Sequence, residues 1–342
     1  MVPLVEVEVL QGQREVGGTC IRVKDGDRTL LFDQGVRFSA FRRFYGSRLS
    51  PSGPVELRSL GVLPPYSVLE EADALYITHY HLDHLGLLGD IPAELEVRVP
   101  SLKGLQLFEA WYRDSPEWVA YIPPRYDAVI LEAEPLVSDK NGVIPLPVVH
   151  SAYPAFSYLY LGSDETVLYT GDFRLEPLSA VGERSNALLE FLERERDLRV
   201  DKLVVEGTNV GRPVAPLGRE EVVRVMRRVL SLGAPLLVAL HRLELDLFAL
   251  ILEEVRSAGR RALIASSKLL DVVEAWAPEL GIPLDCVARA PSLAERVSSV
   301  ELVGEEELRG SPGYVVVADL FELVDFARSF AGRVDLRGGL AL

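Results

Sequence analysis

Short apolar runs separated by tight turns dominate the first 205 residues of the chain. Residues 5–9 alternate apolar and polar side chains with period two, and two further apolar runs flank the turn Asp25-Gly26-Asp27. Period-two alternation indicates a strand with one buried face, and an Asp-Gly pair between two such runs indicates a hairpin. Residues 36–60 follow no such period and are predicted to be irregular. Further strands are predicted at residues 74–78, 143–149, 158–162, 167–169 and 202–206, and helices at residues 101–113 and 184–195.

The pattern changes after residue 212, where apolar strands alternate with longer helical segments. Such alternation is typical of a parallel sheet whose strands are joined by crossover helices. The chain is therefore predicted to be an α/β protein of two domains, residues 1–208 and residues 209–342. In the second domain, strands are predicted at residues 235–240, 261–265 and 314–318, and helices at residues 218–232, 243–258, 269–276 and near 321–330.

Composition and charge narrow the class of protein. Of the 342 residues, 48% are apolar and 25% are charged, which is a globular balance and excludes intrinsic disorder. The net charge of −15 excludes a sequence-independent basic coat for DNA, but not a local basic groove. The two cysteines, Cys20 and Cys286, provide neither a disulfide framework nor a cysteine-based zinc site, and they fit a reducing compartment. Because no apolar run is long enough to cross a bilayer, we expect a cytoplasmic protein without a membrane partner.

A run of metal-ligand residues follows the apolar strand at residues 74–78. His79, His81, Asp83 and His84 place four candidate ligands within six positions, and three of the five histidines of the chain lie in this run. His79 and His81 are two positions apart, so in extended backbone they project in the same direction. Imidazoles suit zinc, and a carboxylate adds an oxygen ligand. The run therefore predicts a metal site, with room for two adjacent ions.

Two more candidate ligands lie at the ends of other apolar strands. His150 follows the predicted strand at residues 143–149, and Asp172 follows the strand at residues 167–169. Taken singly, each is a weak signal, since a lone histidine at a strand end is usually structural. Together with the run at residues 79–84, they place all the candidate ligands where apolar strands end.

In these motifs the sequence resembles the metallo-β-lactamase superfamily, which implies an αββα sandwich for the first domain. The resemblance implies that one zinc is held by His79, His81 and His150. A second zinc is then held by Asp83 and His84, while Asp172 bridges the two ions and a bridging water is the nucleophile.

Asp33 follows the apolar run at residues 30–32 and matches an aspartate near the start of the superfamily pattern. In the superfamily this residue braces the site by hydrogen bonds and does not bind metal.

Other motifs resemble one branch of that superfamily, the β-CASP nucleases, which include ribonuclease J and the pre-mRNA cleavage endonuclease. They are residues 14–20 (Arg-Glu-Val-Gly-Gly-Thr-Cys), His150-Ser151, residues 169–173 (Tyr-Thr-Gly-Asp-Phe) and residues 204–209 (Val-Val-Glu-Gly-Thr-Asn). By this resemblance, Glu206 orients a histidine or the water, and Asp83, Asp172 and Glu206 are the catalytic carboxylates. The second domain is then a β-CASP-like parallel α/β domain.

The two histidines that follow the inserted domain in β-CASP nucleases have no counterpart here. Three explanations stay open: a fragment of a longer protein, a short form with an incomplete second zinc site, or a homodimer or partner subunit that supplies the missing elements. Of the five histidines, only His241 is left, after the strand at residues 235–240. It is either a contact to substrate phosphate or an ordinary surface histidine.

The segment at residues 37–45 combines cations with aromatic side chains, as single-stranded RNA binding requires. Arg37, Arg42 and Arg43 are therefore candidate substrate contacts. The alternative is a loop whose aromatics pack under the domain and whose arginines pair with acids. The sequence thus predicts a zinc-dependent phosphodiesterase that acts on single-stranded RNA, with DNA less favoured. The alternatives are a small-molecule ester or thioester hydrolase and a non-catalytic partner protein.

Overall fold

In the computed structural model, the chain divides into two compact units. The first unit consists of Met1–Val148, Pro154–Phe173 and Asn186–Arg212. The second consists of Val149–Tyr153, Arg174–Ser185 and Pro213–Leu342. The structure describes residues 5–46, 49–211, 213, 217–234, 236–308, 313–322 and 340–341.

The first described sheet of the first unit contains six strands in sequence order. The three N-terminal strands pair antiparallel, and the remaining strands continue the sheet in parallel. Gly26, at φ 61°, occupies the hairpin turn that the Asp-Gly pair predicts. The strands are β1 (Glu6–Gln11), β2 (Cys20–Asp25), β3 (Arg28–Phe32), β4 (Ala74–Tyr76), β5 (Glu96–Val99) and β6 (Val129–Glu132).

The second described sheet of this unit has four strands in the order β10-β9-β8-β7. β7, β8 and β9 are antiparallel, while β9 and β10 are parallel. The four strands are β7 (Val143–Pro147), β8 (Phe156–Leu161), β9 (Thr166–Tyr169) and β10 (Lys202–Val204). The sequence predicted all four of these strands but missed β5 and β6 of the first sheet.

The core of the first unit lies between the two sheets and is rich in aromatic side chains. The Phe32 ring lies 5.3 Å from the Tyr76 ring and 5.9 Å from the Tyr169 ring, so the first sheet packs directly on the second. On the outer face of the second sheet, helix α7 (Leu188–Arg194) buries Leu188 in the same cluster as strand residue Leu168.

Helix α5 (Leu102–Tyr112) lies beside β6 of the first sheet. The layers are therefore those of the predicted αββα sandwich.

The prediction that residues 36–60 are irregular is wrong, because the segment contains helices α1 (Phe38–Tyr45) and α2 (Pro54–Ser59). Phe41 and Tyr45 are four positions apart and share one face of α1, and the Phe41 ring lies 5.3 Å from the Trp118 ring. The exposed Phe44 obscures this period in the sequence. A helix of two turns offers too few positions for the apolar face to stand out.

The single helix predicted at residues 184–195 is also wrong. The chain forms α6 (Ala180–Arg184) and then α7, with a break between them. At the break, the backbone N–H of Ala187 donates to the carbonyl of Pro147 at 2.9 Å. A continuous helix would have used that donor internally. The remaining short helices before residue 180 are α3 (Tyr66–Glu70) and α4 (Leu82–Leu85), with 3-10 turns at Leu88–Asp90 and Trp118–Tyr121.

The second unit contains a parallel sheet, as the strand–helix alternation predicts. Its described strands have the order β14-β13-β12-β15-β11-β16 and pair in parallel throughout. They are β11 (Leu236–Leu240), β12 (Arg261–Ile264), β13 (Val287–Arg289), β14 (Glu301–Leu302), β15 (Tyr314–Asp319) and β16 (Leu340–Ala341).

After residue 212, the second unit has four described helices and a 3-10 turn at Pro291–Leu293. The helices are α8 (Arg219–Leu230), α9 (Leu245–Ser257), α10 (Ser267–Leu280) and α11 (Glu305–Leu308). The helix predicted near residues 321–330 lies, beyond residue 322, outside the described residues. Across the described part of the chain, every helix is too short or too polar to cross a membrane.

Both cysteines are buried, which leads to a prediction about their reactivity. Burial raises the pKa of Cys20 to about 12 and also raises the pKa of Cys286. At pH 8, a thiol with that pKa is ionised in about one molecule in 10⁴, and the thiolate is the reactive form. We expect iodoacetamide to leave Cys20 unmodified in the native protein and to label both thiols in urea, as measured by intact mass. Rapid labelling of Cys20 in native protein would show that β2 opens.

Candidate metal centre

The site is organised around the buried carboxylate of Asp33. This residue follows β3, is fully buried and has a left-handed backbone, with φ 61°. Its Oδ1 accepts the backbone N–H of Thr78 at 2.8 Å. Its Oδ2 accepts the Thr78 hydroxyl at 2.8 Å and the Tyr169 hydroxyl at 2.7 Å, and lies 2.8 Å from Nδ1 of His84. The carboxylate is thus directed at protein donors, in the bracing position that the resemblance implies.

The histidine run occupies the turn between β4 and helix α4. His81 is the N-cap of α4, and His84 lies within this single helical turn. The His79 ring centroid lies 4.7 Å from that of His81 and 4.2 Å from that of His84. Nδ1 of His79 is 3.0 Å from the Thr78 hydroxyl. The change from extended chain to helix is what brings three rings from one short stretch into contact.

Two groups of three residues offer ligand atoms that all lie within 4.8 Å of one another. One group is His79, His81 and His150, and the other is His79, His84 and Asp172. Four ligands in a tetrahedron about 2.0 Å from zinc lie about 3.3 Å apart, so small side-chain shifts would close either group on an ion. The nitrogen-rich donor set fits zinc. Because His79 belongs to both groups, the two groups adjoin.

Asp83 and Glu206, which the sequence predicts to be catalytic, belong to neither group among the described residues. The Asp83 carboxylate packs against the backbone of Gly17, where a Cβ would lie only 2.2 Å from Oδ2. Oε2 of Glu206 accepts the backbone N–H of Thr208 at 2.7 Å, so this carboxylate is held by its own loop.

A cavity of about 700 Å³ opens beside Asp172 within the first unit. One wall is the loop at residues 11–17, and the other includes residues 204–208, so both Asp172 and Glu206 line it. The side chain of Asp172 is 23% exposed, whereas His84 is 2% exposed. Asp172 is therefore a candidate ligand that a substrate in this cavity could reach.

Comparison with known proteins agrees with this geometry. Residues 14–207, more than half of the chain, match the family described as the metallo-beta-lactamase superfamily. The chain belongs to the metallo-beta-lactamase superfamily. The predicted sandwich fold is thereby confirmed.

Curated relatives in the superfamily share low identity with this chain. It is 25% identical over 281 residues to the transcription termination factor FttA of Lokiarchaeum sp. (strain GC14_75), covering 75% of this chain and 40% of that protein. It is 23% identical over 225 residues to ribonuclease J of Pyrococcus abyssi, covering 61% and 46%. It is 26% identical over 265 residues to ribonuclease J of Mycobacterium tuberculosis, and the match covers 75% of this chain and 44% of that protein. The resemblance to the β-CASP branch is confirmed, and the chain spans less than half the length of these relatives.

A solved structure resembles the whole chain. A protein of unknown function from Enterococcus faecalis V583 matches with a TM-score of 0.68 at 18% identity, covering 99% of this chain and 88% of that one. At this identity, the likeness shows the fold.

In this superfamily member, His84 lies between two carboxylates, those of Asp33 and Asp172. Burial lowers the pKa of the His84 imidazole, but Asp33 and Asp172 outweigh that effect and hold the pKa well above its usual range. Nε2 of His84 lies 3.4 Å from Oδ1 of Asp172. A metal that binds Nε2 must displace this proton, so the affinity for metal should rise with pH.

The predicted substrate contacts divide into two kinds. Arg37 is half-buried: its Nε lies 2.5 Å from Oε1 of Glu15, and it donates to the carbonyl of Gly61 at 3.0 Å. Arg42 and Arg43 are exposed on α1, and the guanidinium of Arg43 lies 6.0 Å from the centroid of the Phe44 ring. Arg37 thus fits the alternative of pairing with acids, whereas Arg42 and Arg43 are accessible.

His241 lies in the second unit, directly after β11. Its Nδ1 accepts the backbone N–H of Leu243 at 3.3 Å, and its ring lies edge-on to Phe321 at 5.7 Å. These contacts are those of a residue that shapes the turn after the strand.

Sequence reasoning missed two polar groups of the site, Thr78 and Tyr169. Both bond to Asp33 and both are buried. Both residues carry a hydroxyl at the end of an apolar stretch that leads to a candidate ligand, and this could have indicated them. Thr78 directly precedes His79, and Tyr169 lies three positions before Asp172.

We expect Gly35→Ala to disrupt this site. A Cβ at Gly35 would lie 1.6 Å from the backbone oxygen of Asp83, so α4 must move. Overpacking of this kind lowers the free energy of unfolding by about 1–3 kcal/mol. Gly304→Ala is the control, because a Cβ there meets nothing within 4 Å. The free energy of unfolding, measured by denaturant titration, and the zinc content should both fall for Gly35→Ala and stay unchanged for Gly304→Ala. Equal stability of the two variants would contradict the packing described.

We expect two zinc ions per chain, because two adjoining ligand groups are present. Elemental analysis of protein purified without added metal measures this ratio. His84→Ala should remove one equivalent and leave the group of His79, His81 and His150. Loss of both ions, or of neither, would contradict the separation into two groups.

Proposed function

We propose that this chain is a zinc-dependent phosphodiesterase that cleaves single-stranded RNA. Membership of the metallo-beta-lactamase superfamily supports a metal-dependent hydrolase. The observation that carries the proposal is the pair of adjoining ligand groups beside an open cavity. The names of the ribonuclease J relatives supply the substrate class.

The side chains of the site have distinct roles in this proposal. His79, His84 and Asp172 hold metal, while Asp33 keeps His84 oriented. When bound, the metal ions supply a Lewis acid for the phosphate and lower the pKa of a water. Glu206 lines the same cavity and accepts the N–H of Thr208, and in this proposal its carboxylate would orient the attacking water.

Contacts to RNA phosphates come from the accessible arginines of α1 in this proposal. Arg42 and Arg43 are exposed, and Arg37 instead braces the loop that carries Glu15. A chain of net charge −15 repels polyanions except where such cations lie. Binding through a few phosphate contacts weakens as salt rises.

A small-molecule ester hydrolase is the second candidate, since the cavity of about 700 Å³ lies within the range of small-ligand sites. An aryl ester assay distinguishes it from the nuclease. Turnover of the ester without RNA cleavage would favour this candidate.

We expect the zinc-loaded protein to cleave labelled single-stranded RNA. Asp172→Ala should lose more than about 100-fold in kcat, because it removes a metal-binding carboxylate and even the outer partners of metal ligands affect activity by about 10–100-fold. His84→Ala should also be inactive, because it removes a member of the group of His79, His84 and Asp172. The measurement is gel analysis of RNA and DNA oligonucleotides of the same sequence.

Asp201→Ala is the matched control for this assay. Asp201 accepts the backbone N–H of Thr166 in the same unit and does not line the cavity, so RNA cleavage should be unchanged. If the zinc-loaded wild type leaves both RNA and ester intact, the catalytic proposal is wrong and the chain is a non-catalytic partner protein.

A further inference from the structure

The Tyr169 hydroxyl is one of three groups that converge on a single oxygen of Asp33. Oδ2 accepts it at 2.7 Å, accepts the Thr78 hydroxyl at 2.8 Å and lies 2.8 Å from Nδ1 of His84. Tyr169 belongs to β9 of the second sheet, whereas Asp33 follows β3 of the first. This hydrogen bond therefore ties the sheet that carries Asp172 to the residue that holds His84.

The hydroxyl of Tyr169 acts only as a donor toward Asp33. Tyr169 is 4% exposed, and burial together with the charge of Asp33 raises the pKa of its phenol well above the usual range. The proton therefore stays on Tyr169. A charge-assisted hydrogen bond of this kind fixes the direction of the carboxylate that receives it.

The direction of the Asp33 carboxylate decides how His84 is presented. An acceptor at Nδ1 selects the tautomer and the ring orientation that leave Nε2 for a metal. Nε2 of His84 does point to Asp172, at 3.4 Å from Oδ1. If the Asp33 carboxylate were free to rotate, the ring would lose this fixed direction.

We propose that Tyr169 is a positioning residue of the metal centre, which acts through Asp33 to hold Nε2 of His84 toward the ion in the group of His79, His84 and Asp172. The inference rests on the metal-binding part of the proposed function and not on the RNA substrate.

A purely structural role for Tyr169 is the competing explanation, and the chain offers a matched control. Tyr158 lies in the same aromatic core, is fully buried and donates its hydroxyl to the carbonyl of Ile77 at 2.8 Å. Tyr158→Phe removes one buried phenol hydrogen bond, as Tyr169→Phe does, but it leaves Asp33 untouched. Both variants keep the ring that packs in the core.

The experiment is a zinc titration of the full chain against a chromophoric chelator, with the visible spectrum of the cobalt-substituted protein as a second readout. For Tyr169→Phe, we expect about tenfold weaker binding of one of the two ions, since outer hydrogen-bond partners of metal ligands affect affinity by about 10–100-fold. The cobalt spectrum should change as well. Tyr158→Phe should bind both ions within about twofold of wild type.

A double-mutant cycle tests the route through Asp33. In an Asp33→Asn background, Tyr169→Phe should alter zinc affinity by less than about twofold, because the group through which it acts has already been changed. The inference is overturned if Tyr169→Phe binds zinc as wild type does, if Tyr158→Phe loses as much affinity, or if wild type binds no zinc. Tight zinc binding without RNA cleavage would instead overturn the proposed nuclease activity alone.

Discussion

The buried carboxylate of Asp33 is the constraint on which the rest of the site depends. An ionised carboxylate without partners is far too unfavourable in a protein interior to persist, so it has to be surrounded by donors. Here the donors come from the segment after β4, from α4 and from β9. One charge therefore fixes three parts of the chain at once and joins the two sheets of the sandwich at the end where the candidate ligands gather.

Close backbone packing serves the same arrangement. Gly35 lies against the backbone of Asp83, and Gly17 lies against the Asp83 carboxylate, in places where a Cβ would collide. These contacts hold α4 and the loop at residues 11–17 together beside the cavity. The site combines the buried candidate ligands His79 and His84 with the partly exposed Asp172, which lines the cavity. Such a combination suits metal-assisted hydrolysis, because the ligands need little reorganisation during the reaction.

The two units illustrate two ways of burying a sheet. In the first, two sheets cover one another and exchange aromatic side chains, which leaves their outer faces for helices. In the second, a parallel sheet is joined by helices such as α9, most of whose residues are buried. The candidate ligand group of His79, His84 and Asp172 lies entirely in the first unit, so the metal chemistry inferred for this group depends on the sandwich.

The sequence by itself determined most of the strands of the sandwich, the parallel sheet and the run from His79 to His84, because alternation and ligand spacing are local properties. It did not reveal α1, whose two turns carry too weak a period, nor that Asp83 stays outside both ligand groups. Tyr169 and Asp33 are 136 positions apart, and no local pattern pairs them. Only the packing of one sheet on the other decided that contact, since a hydrogen bond forms where two surfaces meet, whatever the distance along the chain.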